Sequence, residues 1–155
     1  MKVYEIEDIN LAPAGLQRLE WVRARMPILR QLKQDFAKTK PFEEMRIGIC
    51  LHVEAKTGIW LEALIAGGAK IAITGSPGTT QDEVAAALVS EYGVQVFSKR
   101  SESFEQHLDY IRRVLSTSPH LVADNGADIH MLALGDPDFR EIGSNIVGAT
   151  EETTT

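Results

Sequence analysis

The chain has 155 residues, 44% of them hydrophobic and 25% charged, which suits one globular domain with a sizeable core and excludes a disordered or low-complexity segment. Its net charge of -6 argues against nucleic acid or an anionic membrane as the main partner. Cys50 is the only cysteine, Met1-Lys2-Val3-Tyr4-Glu5 opens no apolar leader, and no apolar run is long enough to cross a bilayer. A cytoplasmic protein without a disulfide framework is therefore expected.

An arm over residues 3–11 leads to Ala12-Pro13-Ala14, a helix start with proline in the first turn. Leu16, Leu19, Val22 and Met26 recur at three- and four-residue spacing and predict one apolar helical face. Pro27 kinks or divides this helix, and Ile28, Leu29, Leu32 and Phe36 carry the pattern on to Lys38. From Pro41 onward, strands and helices alternate. Strands are predicted at 46–52, 70–74, 94–97, 119–124 and 145–149. Helices are predicted at 56–66, from the entry at 79–83 to 91, at 103–115 and at 128–134, with surface turns at 75–78 and 135–138. This spacing implies βαβ units with right-handed crossovers. The expected fold is α/β: a doubly wound, mainly parallel Rossmann-like sheet with helices on both faces and an N-terminal helical segment. Residues 1–155 are expected to form a single substrate-binding-type domain, with 1–40 as arm and helices and 41–155 as the α/β core.

Ligands of such sheets bind past the C-terminal ends of the strands. Four polar clusters fall there: His52 with Glu54, Lys56 and Thr57; Thr79 to Asp82; Asp124, Asn125 and Asp128; and Glu151 to Thr155. His52 is a candidate general acid or base, against the plainer alternative of a strand-end histidine bonded to a backbone carbonyl. His107, His120 and His130 read as ordinary helix or strand residues. None shows metal-ligand spacing with the others or with Cys50, so no metal site is expected. Cys50 reads as inert core, and Trp21 and Trp60 as packing residues. Gly75-Ser76-Pro77-Gly78 is neither a Gly-x-Gly-x-x-Gly turn nor a Walker loop, so the main dinucleotide fingerprint is not carried here.

Cys50-Leu51-His52-Val53-Glu54-Ala55-Lys56-Thr57 resembles the first substrate-binding motif of the S-adenosylhomocysteine hydrolases. Thr80-Gln81-Asp82 resembles the family's Ser-Thr-Gln-Asp segment. Asp124-Asn125-Gly126-Ala127-Asp128 resembles its Asp-Asp-Gly-Gly-Asp motif, and Glu151-Glu152-Thr153-Thr154-Thr155 its Glu-Glu-Thr-Thr-Thr run. The resemblance implies reversible hydrolysis of S-adenosylhomocysteine to adenosine and homocysteine. A bound NAD oxidises the ribose 3′-hydroxyl so that the thiol can be eliminated; the cofactor carries the hard chemistry and the protein orients it. It places His52 and Asn125 at catalytic positions. Glu54, Lys56, Thr57, Thr79, Gln81, Asp82, Glu152 and Thr153 stand at substrate-binding positions, and Thr153, Thr154 and Thr155 at NAD contacts.

Four departures stand out. Asn125 replaces an aspartate that is an acid/base candidate, and an amide cannot exchange a proton at a useful pKa. Ala127 replaces a glycine, and one residue is missing around Pro77-Gly78. The resemblance ends before the family's catalytic lysine and aspartate, so the NAD-binding domain is expected to be absent and the chain alone to turn over little or nothing. The Glu-Ala-Lys-Thr form resembles members that act on S-inosylhomocysteine, because Lys56 would donate to the 6-oxo group of hypoxanthine where many members carry glutamate. Expected partners are a purine nucleoside or S-nucleosyl-homocysteine, with a homo-oligomer or a complementary NAD-domain chain. The alternative is a catalytically silent nucleoside-binding module.

Overall fold

The computed structural model describes residues 3–152. Five strands form one all-parallel sheet: β1 (Arg46–Cys50), β2 (Lys70–Thr74), β3 (Gln95–Val96), β4 (Leu121–Asp124) and β5 (Gly148–Glu151), in spatial order β3-β2-β1-β4-β5. The helices are α1 (Ala12–Arg23), α2 (Pro27–Thr39), α3 (Ala55–Ala66), α4 (Asp82–Tyr92), α5 (Phe104–Leu115), α6 (Asp128–Gly135) and α7 (Arg140–Ser144). The doubly wound α/β architecture expected from the alternation is the one observed. Among the described residues, no helix is long and apolar enough to cross a membrane.

The short apolar runs become central strands because parallel strands covered on both faces need apolar residues on both. Ile47, Ile49, Ile71 and Ile73 face the core built with α1, α3 and α4. Cys50, Ala72 and Val122 face the core built with α5, α6 and Phe139. On the first side α1 lies close to both α3 and α4. A Cβ at Gly15 would stand 1.8 Å from the Glu83 carbonyl oxygen, and one at Gly58 would stand 2.5 Å from Leu19 Cδ2. Glycine at these two places is what allows the helices to touch.

Pro27 divides the N-terminal helical run rather than kinking it, and α2 starts afresh with the proline in its first turn. A buried carboxylate ties the pieces together. Glu62 of α3, 2% exposed, accepts from Arg23 Nη2 of α1 at 2.6 Å, Lys33 Nζ of α2 at 2.8 Å and the Tyr92 hydroxyl of α4 at 2.9 Å. Burial pushes its carboxyl up, but these three donors outweigh burial and hold it below the ordinary range. The Tyr92 hydroxyl is pushed up to about 12 by burial and by that carboxylate.

Two sheet edges differ from expectation. The arm pairs with β3: Glu5 N–H donates to the Val96 carbonyl at 2.8 Å and Ser98 N–H to the Glu5 carbonyl at 3.0 Å, which covers that edge. At the other edge the strand expected at 145–149 is instead β5, three residues later at its start. The apolar pair Ile146-Val147 follows α7: Ile146 packs against the core on the α5 and α6 side, while Val147 is 74% exposed.

Candidate functional site

The strand order reverses between β1 and β4. From β1 the chain crosses to α3 on one face, and from β4 to α6 on the other, leaving a crevice between their C-terminal ends. A cleft of about 420 Å³ opens there. Its walls are Leu51, Glu54, Lys56 and Thr57 after β1, and Asp124, Glu151 and Glu152 at the tips of β4 and β5. Trp60 of α3 lies at its side. A second cavity of about 770 Å³ shares Met26, Glu54 and Lys56 with it and extends along Arg18 and Trp21 of α1 and Arg25 just past its end to Gln81. Trp21, expected as a packing residue, is 61% exposed in this wall, with the Arg25 guanidinium 3.7 Å over its ring. Its position on α1 lies beyond the buried stripe of Ala12, Gly15 and Leu19.

The candidate residues separate by what they touch. Glu54 and Lys56 form an ion pair of 3.3 Å that spans both cavities, and Lys56 is largely exposed. Gln81 is fixed by its backbone, whose N–H donates to the Val53 carbonyl at 2.9 Å. Its side-chain Oε1 is buried without a hydrogen-bond partner among the described residues. Asn125 Nδ2 donates to the Glu152 carbonyl at 3.0 Å, and Glu152 N–H donates to the Asp124 carbonyl at 2.8 Å. His52 is exposed at the rim, and its ring has no hydrogen-bond partner among the described residues. Thr79 and Asp82 are engaged elsewhere: the Thr79 hydroxyl donates to the Ser76 carbonyl at 2.7 Å, and Asp82 Oδ1 accepts from Arg100 N–H at 2.9 Å. Thr153, Thr154 and Thr155 lie outside the described residues.

Two histidines read as ordinary turn out to be held by carboxylates. His130 Nδ1 lies 2.8 Å from Asp124 Oδ2 and 3.8 Å from Glu151 Oε2. His107 is buried on α5 with Nε2 3.3 Å from Asp128 Oδ2 and Nδ1 3.4 Å from Glu102 Oε1. The second contact is close enough for ion pairing but so angled that neither atom has a hydrogen-bond partner among the described residues. The Glu102 contact raises the His107 pKa above its ordinary value, with burial opposing and Asp128 adding to the rise. Neither arrangement has a local sequence signal, because the carboxylates come from other elements and loops. Two triplets, Asp124 with His130 and Glu151, and Cys50 with His107 and Asp128, each bring three potential ligand atoms within 4.8 Å. Sequence spacing shows neither. Burial, with the Asp124 and Asp128 charges, pushes the Cys50 thiol well up, so it stays protonated.

A family model described as S-adenosyl-L-homocysteine hydrolase matches residues 3–155. The chain belongs to the S-adenosyl-L-homocysteine hydrolase family. Among its curated relatives in that family, the S-inosyl-L-homocysteine hydrolase of Methanopyrus kandleri is 46% identical over 153 residues, covering 98% of this chain and 35% of the relative. The S-inosyl-L-homocysteine hydrolase of Methanococcus maripaludis is 43% identical over 151 residues, 97% of this chain and 36% of the relative. The adenosylhomocysteinase of Pyrococcus abyssi is 42% identical over 153 residues, 98% of this chain and 36% of the relative. The chain thus spans about a third of the length of these hydrolases, and the match lies over the region that builds the crevice.

In chemical terms, the crevice of this S-adenosyl-L-homocysteine hydrolase family chain presents acceptors at one end and a donor at the other. The Glu151-Glu152 end offers carboxylate oxygens to hydroxyl groups, and Lys56 offers an ammonium to an acceptor. The described strand-to-helix turns offer no glycine-rich run of amides for a diphosphate.

Proposed function

We propose that the chain supplies the substrate-binding part of an enzyme that reversibly hydrolyses S-adenosylhomocysteine or S-inosylhomocysteine to the nucleoside and homocysteine. The observation that carries this is the convergence of the first, third and fourth motifs on one cleft at the sheet's switch point, of a volume suited to a small ligand. Glu152 binds the ribose hydroxyls, and Asn125 holds the Glu152 backbone in place. Lys56, oriented by Glu54, and Gln81, with its unpartnered oxygen, meet the purine. Thr57 lines the same wall, and Thr79 and Asp82 fix the loop that presents Gln81. His52 moves the proton at the 5′ side.

NAD belongs to this proposal through the family resemblance, with Thr153, Thr154 and Thr155 as contacts. The described strand-to-helix turns lack the glycine-rich run of amides that holds a dinucleotide's diphosphate. The proposal also includes a cytoplasmic protein that works as a homo-oligomer or with a complementary NAD-domain chain.

A second reading, a catalytically silent nucleoside-binding module, is favoured by Asn125. Its amide is committed to the Glu152 carbonyl and has no proton to exchange. Calorimetry of the chain with adenosine and inosine at millimolar concentration tests what both readings share. Saturable heat and a raised melting temperature are expected; their absence with both ligands counts against both readings.

A further inference from the structure

Behind the loop that carries Gln81 lies a set of buried hydroxyls that the proposed function does not use. We propose that Ser98 is a positioning residue: its hydroxyl, fully buried just past β3, fastens Gly75 and Thr80 from behind and so sets Gln81 against the first motif for the purine. The consequence for binding rests on the reading of Gln81 as a purine contact; the fastening itself rests on geometry alone.

The backbone puts Ser98 in place from two sides. Phe97 N–H donates to the Ile73 carbonyl of β2 at 2.9 Å, and Ser98 N–H to the Glu5 carbonyl of the arm at 3.0 Å. From there the Ser98 hydroxyl accepts from Gly75 N–H at 3.1 Å, donates to Glu102 Oε2 at 3.3 Å and meets the Thr80 hydroxyl at 2.5 Å. Glu102 Oε2 also accepts from Lys99 N–H at 2.8 Å, which holds that carboxylate in place. A hydroxyl has one proton, and Ser98 gives its own to the carboxylate, which can only accept. The proton between the two hydroxyls therefore comes from Thr80. Among the described residues, neither Gly75 N–H nor the Thr80 hydroxyl has another acceptor. Gly75 makes room for this meeting: a Cβ there would stand 2.7 Å from Thr80 Oγ1 and 2.8 Å from Ser98 Oγ.

Removing the Ser98 hydroxyl leaves two buried donors without an acceptor, a larger loss than that of one hydrogen bond. The turn from Gly75 to Thr80 must then shift to recover partners, and Gln81 moves with it. Gln81 is tied forward as well: its N–H donates to the Val53 carbonyl at 2.9 Å, between His52 and Glu54. Ser98 therefore acts on the wall that Glu54, Lys56 and Gln81 give to the cavity of about 770 Å³, and it does so without touching a ligand.

The experiment measures inosine and adenosine affinity by calorimetry for the unaltered chain, Ser98→Ala, Thr80→Val, Thr80→Ser and the double variant Ser98→Ala with Thr80→Val. Thermal melts show that each is folded at the temperature used. Ser98→Ala and Thr80→Val should each bind both nucleosides about fivefold or more weakly. Thr80→Ser keeps the hydroxyl and should bind within about twofold of the parent, and the double variant no more weakly than Ser98→Ala, because both changes break one link. A purely structural role would lower the melting temperature and leave the affinity of the folded chain unchanged, and that result overturns the proposal. A loss in Thr80→Ser equal to that in Thr80→Val would make packing the cause and overturn it too, as would losses that add in the double variant. If Ser98→Ala does not fold, the contrast between the two Thr80 variants decides alone. If the unaltered chain binds neither nucleoside, the functional reading fails. Hydrogen exchange at the Gln81 amide then decides the fastening: faster exchange in Thr80→Val than in Thr80→Ser supports it, and equal exchange refutes it.

Discussion

Lys56 is the residue on which the choice of purine should turn. On the proposed reading its ammonium meets the purine's 6-substituent, and an ammonium can only donate, which suits a 6-oxo group and not a 6-amino group. Lys56→Glu alone would set two carboxylates against each other, because Glu54 pairs with Lys56 at 3.3 Å. The double change Glu54→Thr with Lys56→Glu avoids this, and it should move preference from inosine toward adenosine by about tenfold, the worth of one charged hydrogen bond. Competitive calorimetry with the two nucleosides reads the ratio, and an unchanged ratio would remove Lys56 from purine recognition. Asn125 makes a separate prediction. Asn125→Asp replaces a donor by an acceptor facing the Glu152 carbonyl, so the new carboxyl is favoured in its neutral form and its folded pKa rises. A raised pKa on an acid contributes stability at low pH and loses it as pH increases. The variant should therefore be about 1 kcal/mol less stable than the parent at pH 7, with the gap closing toward acid pH in urea titrations.

At the scale of elements, the central strands and most helices follow from local pattern. Ile47 and Ile49, or Ile71 and Ile73, have nowhere to go but a covered parallel sheet, and Pro27 had to kink or divide the helical run, of which the structure shows the division. Local pattern failed where chain neighbours were not the deciding contacts. The run at 145–149 is as apolar as β1, yet its ladder begins at Gly148, because pairing with Leu121 sets the register there. His107 and His130 showed no signal because their carboxylates arrive from other elements, across Glu102 to Asp128 and from Asp124 to Glu151. The Glu62 hub is of the same kind: Arg23, Lys33 and Tyr92 come from three other helices to one buried carboxylate. Glu62→Gln leaves those donors without their charge partner, and should cost about 3 kcal/mol in urea-unfolding free energy. A loss below about 1 kcal/mol would mean that apolar packing, not the hub, holds α1 and α2 to the core.

Over the whole molecule, the shifted groups divide into two sets with opposite pH signs. Glu62 and Glu5 are carboxylates held below their ordinary 4.5, Glu62 against its burial by Arg23, Lys33 and Tyr92, and Glu5 against its burial by Tyr110, Arg113 and Lys99. A depressed acid contributes stability above its unfolded pKa and loses it as pH falls through the folded value. Both sit on the N-terminal third's attachments, Glu62 under α1 and α2 and Glu5 where the arm meets β3 and α5. Acid should therefore loosen the arm and the first two helices before the sheet. His107 works in the other direction. Its raised pKa means that its stabilising charge is fully present below the ordinary 6.5 and is lost as pH rises through the folded value, which loosens the contact of α5 with α6. The stability curve should then be flat between 4.5 and 6.5 and fall on both sides. Urea midpoints from pH 3 to 9 test this with two variants: Glu62→Gln should reduce the acid limb to the part Glu5 supplies and leave the alkaline one, and His107→Gln should remove the alkaline limb and leave the acid one. An alkaline limb that persists in His107→Gln would assign it to another group.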